Sequence, residues 1–154
     1  MPEHRPPRRW ALVADGTRAQ IIDLSSAPGT AERIEGFVFR NDHRHLRRLL
    51  SDVSGHAIAR LRSGENPAGK GVNLIRADDR EFLDMVLRAV QERAEANEFD
   101  LLVLVADAYV LDAIKTLMPN GLLHRIEREV QTDMACLPRS SIRRELLRLM
   151  QSSG

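Results

Sequence analysis

The apolar positions of this chain fall into short dense runs separated by longer polar stretches. The densest run is Leu101, Leu102, Val103, Leu104, Val105 and Ala106. It is apolar at both alternating positions, and a strand of that kind needs cover on both faces of its sheet. Residues 99–107 therefore predict an interior strand flanked by helices on each side. Upstream, residues 10–14 and 18–24 are β-prone and meet around Asp15 and Gly16, a dipeptide that tolerates the positive φ of a tight hairpin turn. Pro28 and Gly29 mark the next turn, and residues 34–39 predict a third strand.

From residue 40 to residue 75 the periodicity weakens. Leu46, Leu49, Leu50 and Val53 have helical spacing, but Gly55, Gly64, Pro67, Gly69 and Gly71 predict a long mobile segment. Order returns where Asp78 and Glu81 resemble a capping box. Phe82, Val86, Val90 and Ala94, with Leu83 and Leu87, then form one apolar stripe on a helix expected over about 78–97. After the buried run, Asp107 predicts the N-cap of a helix carrying Val110, Ile114 and Leu117, stopped by Pro119, Asn120 and Gly121. A short helix should turn Leu122, Leu123 and Ile126 inward, residues 130–136 predict a last strand, and Ile142, Leu146 and Leu149 mark the inner face of a C-terminal helix.

This order predicts an α/β fold: a mixed five-stranded sheet with an N-terminal antiparallel hairpin and third strand, helices on both faces, ribonuclease-H-like in its sequence of elements. Residues 1–9, with Pro2, Pro6 and Pro7 among charges, are expected to be a disordered lead-in. Residues 10–151 are expected to form a single domain, with a mobile basic and glycine-rich segment at 40–75.

With 154 residues, 43% of them hydrophobic, the chain can bury one sizeable core. The net charge of +1 hides an asymmetry. Arg40, Arg44, Arg47, Arg48, Arg60 and Arg62 face only Asp42 and Asp52 in their segment, whereas acids outnumber bases over 72–107. A phosphate-bearing partner should therefore meet the first region. Cys136 is the single cysteine, which excludes an internal disulfide, points to a reducing compartment and, beside apolar neighbours, predicts a small core residue. No apolar run is long enough to span a bilayer, so the expectation is a cytoplasmic protein with no membrane partner. Oligomeric state leaves no sequence signal.

Several constellations have residue types suited to chemistry. Gly64, Glu65, Asn66, Pro67, Ala68, Gly69 and Lys70 match the first seven positions of a phosphate-binding loop, but Gly71 stands where a Ser or Thr hydroxyl should hold Mg²⁺. Asp15 and Asp107 follow two apolar strands expected to be neighbours, where two-metal phosphodiester hydrolases place carboxylates. Each also has a structural explanation, as a turn residue and a helix cap. His43 and His45 are spaced for a metal only on a strand or loop, and a solvated basic face is the simpler reading. No cofactor or resident metal is implied. Arg44, Arg47, Arg48, Arg60, Arg62 and Lys70 form a plausible phosphate-binding surface, and the absence of aromatic residues from 41 to 80 favours backbone or shape contact over base stacking.

Trp10 to Ala19, reading WALVADGTRA, followed far downstream by FDLLVLVA from Phe99, resembles the small bacterial host-attachment protein family. That family is similar to the middle domain of archaeo-eukaryotic class-I release factors, a ribonuclease-H-like fold carrying a Gly-Gly-Gln loop between its strands and its long helix. The matching place here is the loop with Gly64, Gly69 and Gly71, which holds no glutamine; none occurs between Gln20 and Gln91. The resemblance thus implies a non-catalytic domain binding the ribosome, structured RNA or another protein. Two alternatives stay open: a metal-dependent nuclease using Asp15 and Asp107, and a pure protein-interaction module.

Overall fold

A computed structural model describes residues 7–25, 38–43 and 70–152, with the side chains of 70–75 and 152 outside that description. The described elements are β1 (Arg9–Ala14), β2 (Arg18–Asp23), β3 (Val38–Arg40), α1 (Lys70–Glu95), β4 (Leu101–Ala106), α2 (Ala108–Leu117), the single turn α3 (Asn120–Leu123), β5 (Ile126–Gln131) and α4 (Arg139–Ser152). The strands form one sheet in the order β3-β2-β1-β4-β5. β1–β2 and β2–β3 are antiparallel, and β1–β4 and β4–β5 are parallel. The predicted mixed sheet is therefore present, in an order compatible with a ribonuclease-H-like arrangement.

The apolar runs dictate this layering. On one face Leu12, Ala14, Ile21, Leu102 and Leu104 pack under Phe82, Leu83, Val86, Leu87 and Val90 of α1 and Val110 and Ile114 of α2. On the other, Ala11, Val13, Val103 and Val105 pack under Ile142 and Leu146 of α4. Trp10 stacks on Phe99 with ring centroids 4.7 Å apart, closing the lower end of the first core. β5, by contrast, alternates half-buried and exposed positions because it borders only β4.

Four expectations need correction. First, α1 starts at Lys70, eight residues before Asp78. Asp78 is no cap: it is a buried mid-helix residue that accepts hydrogen bonds from the chain after β3. An acid just ahead of an apolar stripe looks like a first turn, yet here Asp78 has tertiary partners in Asn41 and His43. Second, the last strand is Ile126–Gln131, and residues 132–136 form the turn before α4. Third, Ile126 belongs to that strand, and Leu123 faces outward, 40% exposed. Fourth, Cys136 is on the surface, not in the core.

Of the third strand, Val38–Arg40 is described; the expected residues 34–37 lie outside the described residues, as do the tentative helix around Leu46 and residues 1–6. β1 begins one residue early, at Arg9. α1 ends in a left-handed Asn97, φ 57°, with Glu98 N–H bonded to the Arg93 carbonyl and Asn97 N–H to that of Ala94. Among the described residues no helix is long and apolar enough to cross a membrane.

Candidate functional site

β1, β3, β4 and β5 share one direction, so the residues that follow them meet at one edge of the sheet. In open α/β sheets this carboxyl edge is where ligands bind. Here it gathers the Asp15–Gly16–Thr17 turn, Asn41 to His43 after β3, Asp107 and Tyr109 after β4, and the first half of α1.

Asp15 and Asp107 do follow neighbouring parallel strands, with Val13 opposite Val105 in register. Their carboxylates are engaged locally. Asp15 Oδ1 accepts from Thr17 N–H at 2.7 Å, Thr17 Oγ1 at 2.8 Å and Arg18 N–H at 2.8 Å, which builds the hairpin turn. Its other oxygen lies 3.8 Å from the Cys136 thiol. Asp107 accepts from Val110 N–H at 2.9 Å and so caps α2, as its sequence position predicts. Among the described residues, no group of three or more His, Cys, Asp or Glu side chains is arranged to hold a metal ion.

A second cluster ties β3 to α1 and had only a faint sequence signal. Asn41 donates from Nδ2 to the Gly16 carbonyl and to Asp78 Oδ2, both at 3.0 Å, and its N–H bonds to the Thr17 carbonyl. His43 Nδ1 lies 2.7 Å from Asp78 Oδ2, and His43 N–H donates to Asn41 Oδ1 at 3.0 Å. His43 holds φ at 56°, the left-handed region that non-glycine residues rarely enter, and these two contacts are what keep it there. The solvated basic face expected for His43 is therefore a buried-acid contact, with the imidazole only 18% exposed. Beside it opens a cleft of about 400 Å³ lined by Arg40, Asn41, Asp42, Asp78, Glu81, Phe82 and Met85.

The arginines of this edge are distinctive. Arg18 stands directly opposite Arg40 in the β2–β3 register. Arg76 lies over the ring of Tyr109, its guanidinium carbon 5.8 Å from the centroid, and Arg80 follows one helical turn later. None of Arg18, Arg40, Arg76 and Arg80 forms an ion pair among the described residues. Like charges facing each other across a ladder are destabilising unless an anion joins them.

Of the phosphate-binding set read from the sequence, Arg44, Arg47, Arg48, Arg60 and Arg62 lie outside the described residues, as do Gly64 and Gly69. Lys70 and Gly71 are in the first turn of α1 rather than in a loop. The chain between them leaves this edge at His43 and rejoins the described structure at Lys70. With about 1.5 Å rise per residue, Lys70 lies roughly 12 Å beyond Asp78 along the axis of α1. The meeting of Tyr109 with Arg76 was missed because the two are far apart in sequence and only the topology brings them together.

No curated protein matches this chain. A family model described as "Protein required for attachment to host cells" matches residues 10–146, from the second residue of β1 into α4. The span covers most of the chain, and the protein belongs to this host-attachment family.

Proposed function

We propose that this protein is a non-catalytic RNA-binding domain, related to release-factor middle domains, that meets the ribosome or another structured RNA at the carboxyl edge of its sheet. The observation that carries this reading is the set of arginines without ion pairs at that edge, Arg18, Arg40, Arg76 and Arg80. Arg44, Arg47, Arg48, Arg60 and Arg62 follow His43 of this edge in the sequence, and Lys70 is the first residue of α1. Backbone phosphates would neutralise these charges, and such binding weakens steeply with salt. With no Gly-Gly-Gln sequence in the glycine-rich stretch, the role carried over from release factors is docking rather than peptidyl-tRNA hydrolysis. Attachment to host cells is then an indirect outcome of what the bound RNA does.

The nuclease alternative has neighbouring strand ends in its favour and the engagement of Asp15 and Asp107 in a turn and a cap against it. An interaction module would need a continuous apolar patch, whereas among the described residues the exposed large apolar side chains, Val38, Met85, Tyr109, Leu123 and Leu137, are spread over five separate segments.

The test is ribosome co-sedimentation across a salt series, comparing wild type with an Arg18→Glu, Arg40→Glu, Arg80→Glu triple variant. The wild-type protein should pellet with ribosomes at low salt and be released as salt rises, and the triple variant should stay in the supernatant throughout. Equal behaviour of the two proteins overturns the reading.

A further inference from the structure

Strand β2 turns its side chains to the two faces of the sheet in alternation. Ala19 and Ile21 enter the core under α1, whereas Ile22 packs on the α4 side. Gln20 shares that side, its Nε2 donating to the carbonyls of Ala135 at 2.9 Å and Leu137 at 3.2 Å in the turn before α4. Arg18 continues the same row. On β3, Phe39 packs against the α1 core, so Arg40, directly opposite Arg18 in the register, falls with it on the α4 side. Residues so placed have Cβ atoms about 5 Å apart, and like charges there weaken the pairing. A neighbouring carboxylate would relieve the pair, and several stand near. Asp15 opens the turn before Arg18, and Arg40 borders the cleft with Asp42, Asp78 and Glu81. None of them forms an ion pair with Arg18 or Arg40. Asp15 Oδ1 accepts from Thr17 and from the Arg18 backbone N–H, and Asp78 Oδ2 meets Asn41 and His43. Arg40 is exposed and Arg18 half-buried, so two uncompensated charges of one sign stand side by side within reach of solvent.

We propose that Arg18 and Arg40 clamp one phosphomonoester dianion, the group carried by the 5′ end of an RNA strand and by free nucleoside monophosphates. Guanidinium forks donate paired N–H bonds to phosphate oxygens. A terminal phosphate carries about two negative charges at neutral pH, against about one on an internal diester, and so balances both guanidiniums at once. Binding converts a repulsive cross-strand pair into an anion-bridged one. Arg76 and Arg80 belong to α1, on the other face of the sheet, and are left for diesters further along a strand.

This inference rests on the RNA-binding reading for one source of the phosphate and adds recognition of a strand end to it. The experiment is an anisotropy titration of intact wild type, Arg18→Gln and Arg40→Gln with a 3′-labelled oligoadenylate bearing a 5′-phosphate, and with the same strand ending in a 5′-hydroxyl. Adenosine 5′-monophosphate serves as competitor. The clamp requires wild type to bind the phosphorylated strand roughly ten-fold more tightly than the hydroxyl-ended one, and both variants to bind the two strands alike. Without ligand, each variant should melt at or above the wild-type temperature, because the repulsion is gone. A variant that melts well below wild type makes the pair a structural fastener and overturns the clamp. Salt-sensitive binding of both strands with no preference for the phosphorylated end overturns the clamp and leaves the RNA-binding reading intact. Binding of the monophosphate that depends on Arg18 and Arg40, with no binding of strands or ribosomes, keeps the clamp for a free nucleotide and overturns the RNA reading. A wild-type protein that binds neither strand, ribosome nor monophosphate overturns both.

Discussion

The two edges of the sheet use arginine in opposite ways. At the amino edge the described arginines are matched. Arg8 pairs with Asp100, Arg9 makes a two-bonded pair with Glu127 on β5, and Arg93 pairs with Glu98. Arg125 donates to the carbonyls of Phe99 at 2.6 Å and Ala94 at 3.1 Å while lying over the Phe99 ring. At the carboxyl edge Arg18, Arg40, Arg76 and Arg80 have no carboxylate partner among the described residues, and Asp15, Asp107 and Asp78 are engaged by a turn, a cap and His43. Arginine matched within the chain holds strands and helices together; arginine left without a carboxylate keeps its charge for a ligand. Under the proposed function, the amino edge serves stability and the carboxyl edge serves binding.

The strongest way to break that division is at Arg125. Replacing it with Met keeps an apolar stem over Phe99 but removes two charge-assisted bonds that close the end of α1 and the start of β4. Urea unfolding should show a loss of about 3 kcal/mol, while RNA co-sedimentation of the folded variant stays at the wild-type level. A stable Arg125→Met protein that no longer pellets with ribosomes would reverse the roles given to the two edges.

Asp78→Ala is the next largest effect and probes the carboxyl edge from inside. It strips Asn41 Nδ2 and His43 Nδ1 of a shared acceptor in a buried place, at a cost of about 2 kcal/mol. His43 also loses one of the two contacts holding its left-handed backbone, so amide shifts of residues 41–43 should move more than those of β1. Asp107→Ala should cost less, about 1 kcal/mol for a lost N-cap. Added Mg²⁺ should leave the melting temperature of the wild-type protein unchanged, because Asp107 and Asp15 act on backbone N–H groups; a rise that Asp107→Ala abolishes would restore the nuclease alternative.

What the sequence disclosed follows the same division. Strands β1, β2 and β4 and the apolar stripes of α1 and α2 were legible because burial on one or two faces leaves a period of its own. The cap at Asp107 was legible because its signal is local. The start of α1 was misplaced because Asp78 and Glu81 mimic a capping box, and the true partners of Asp78, Asn41 and His43, come from the other side of a long insertion. β5 was placed too late because Val130 and the residues after it look more strand-like than Glu127, Arg128 and Glu129, whose charges suit an edge strand. The Tyr109–Arg76 contact joins two helices through the sheet topology, and no local pattern encodes it.

The smallest effect sharpens the amino edge. The Asp100 carboxylate accepts from the Arg8 side chain and, at 2.8 Å, from the Arg8 N–H, and these bonds hold its pKa below the ordinary carboxylate value. A carboxyl whose folded pKa is depressed binds fewer protons folded than unfolded. Its contribution to stability is therefore fully present above the unfolded value of about 3.9 and is lost as pH falls through the lower folded value. Both side chains are more than a third exposed, 40% and 47%, so water and salt screen the pair. The contribution is a few tenths of a kcal/mol, at about the level of other surface ion pairs. Asp100→Asn keeps an acceptor for the Arg8 N–H and removes only the charge. Wild type should exceed this variant slightly in urea stability near neutral pH, and the gap should close below about pH 4 and shrink with added salt. A gap that persists in acid and high salt would mean that the backbone bond between Arg8 and Asp100, rather than the matched charges, fastens β1 to β4 at this edge.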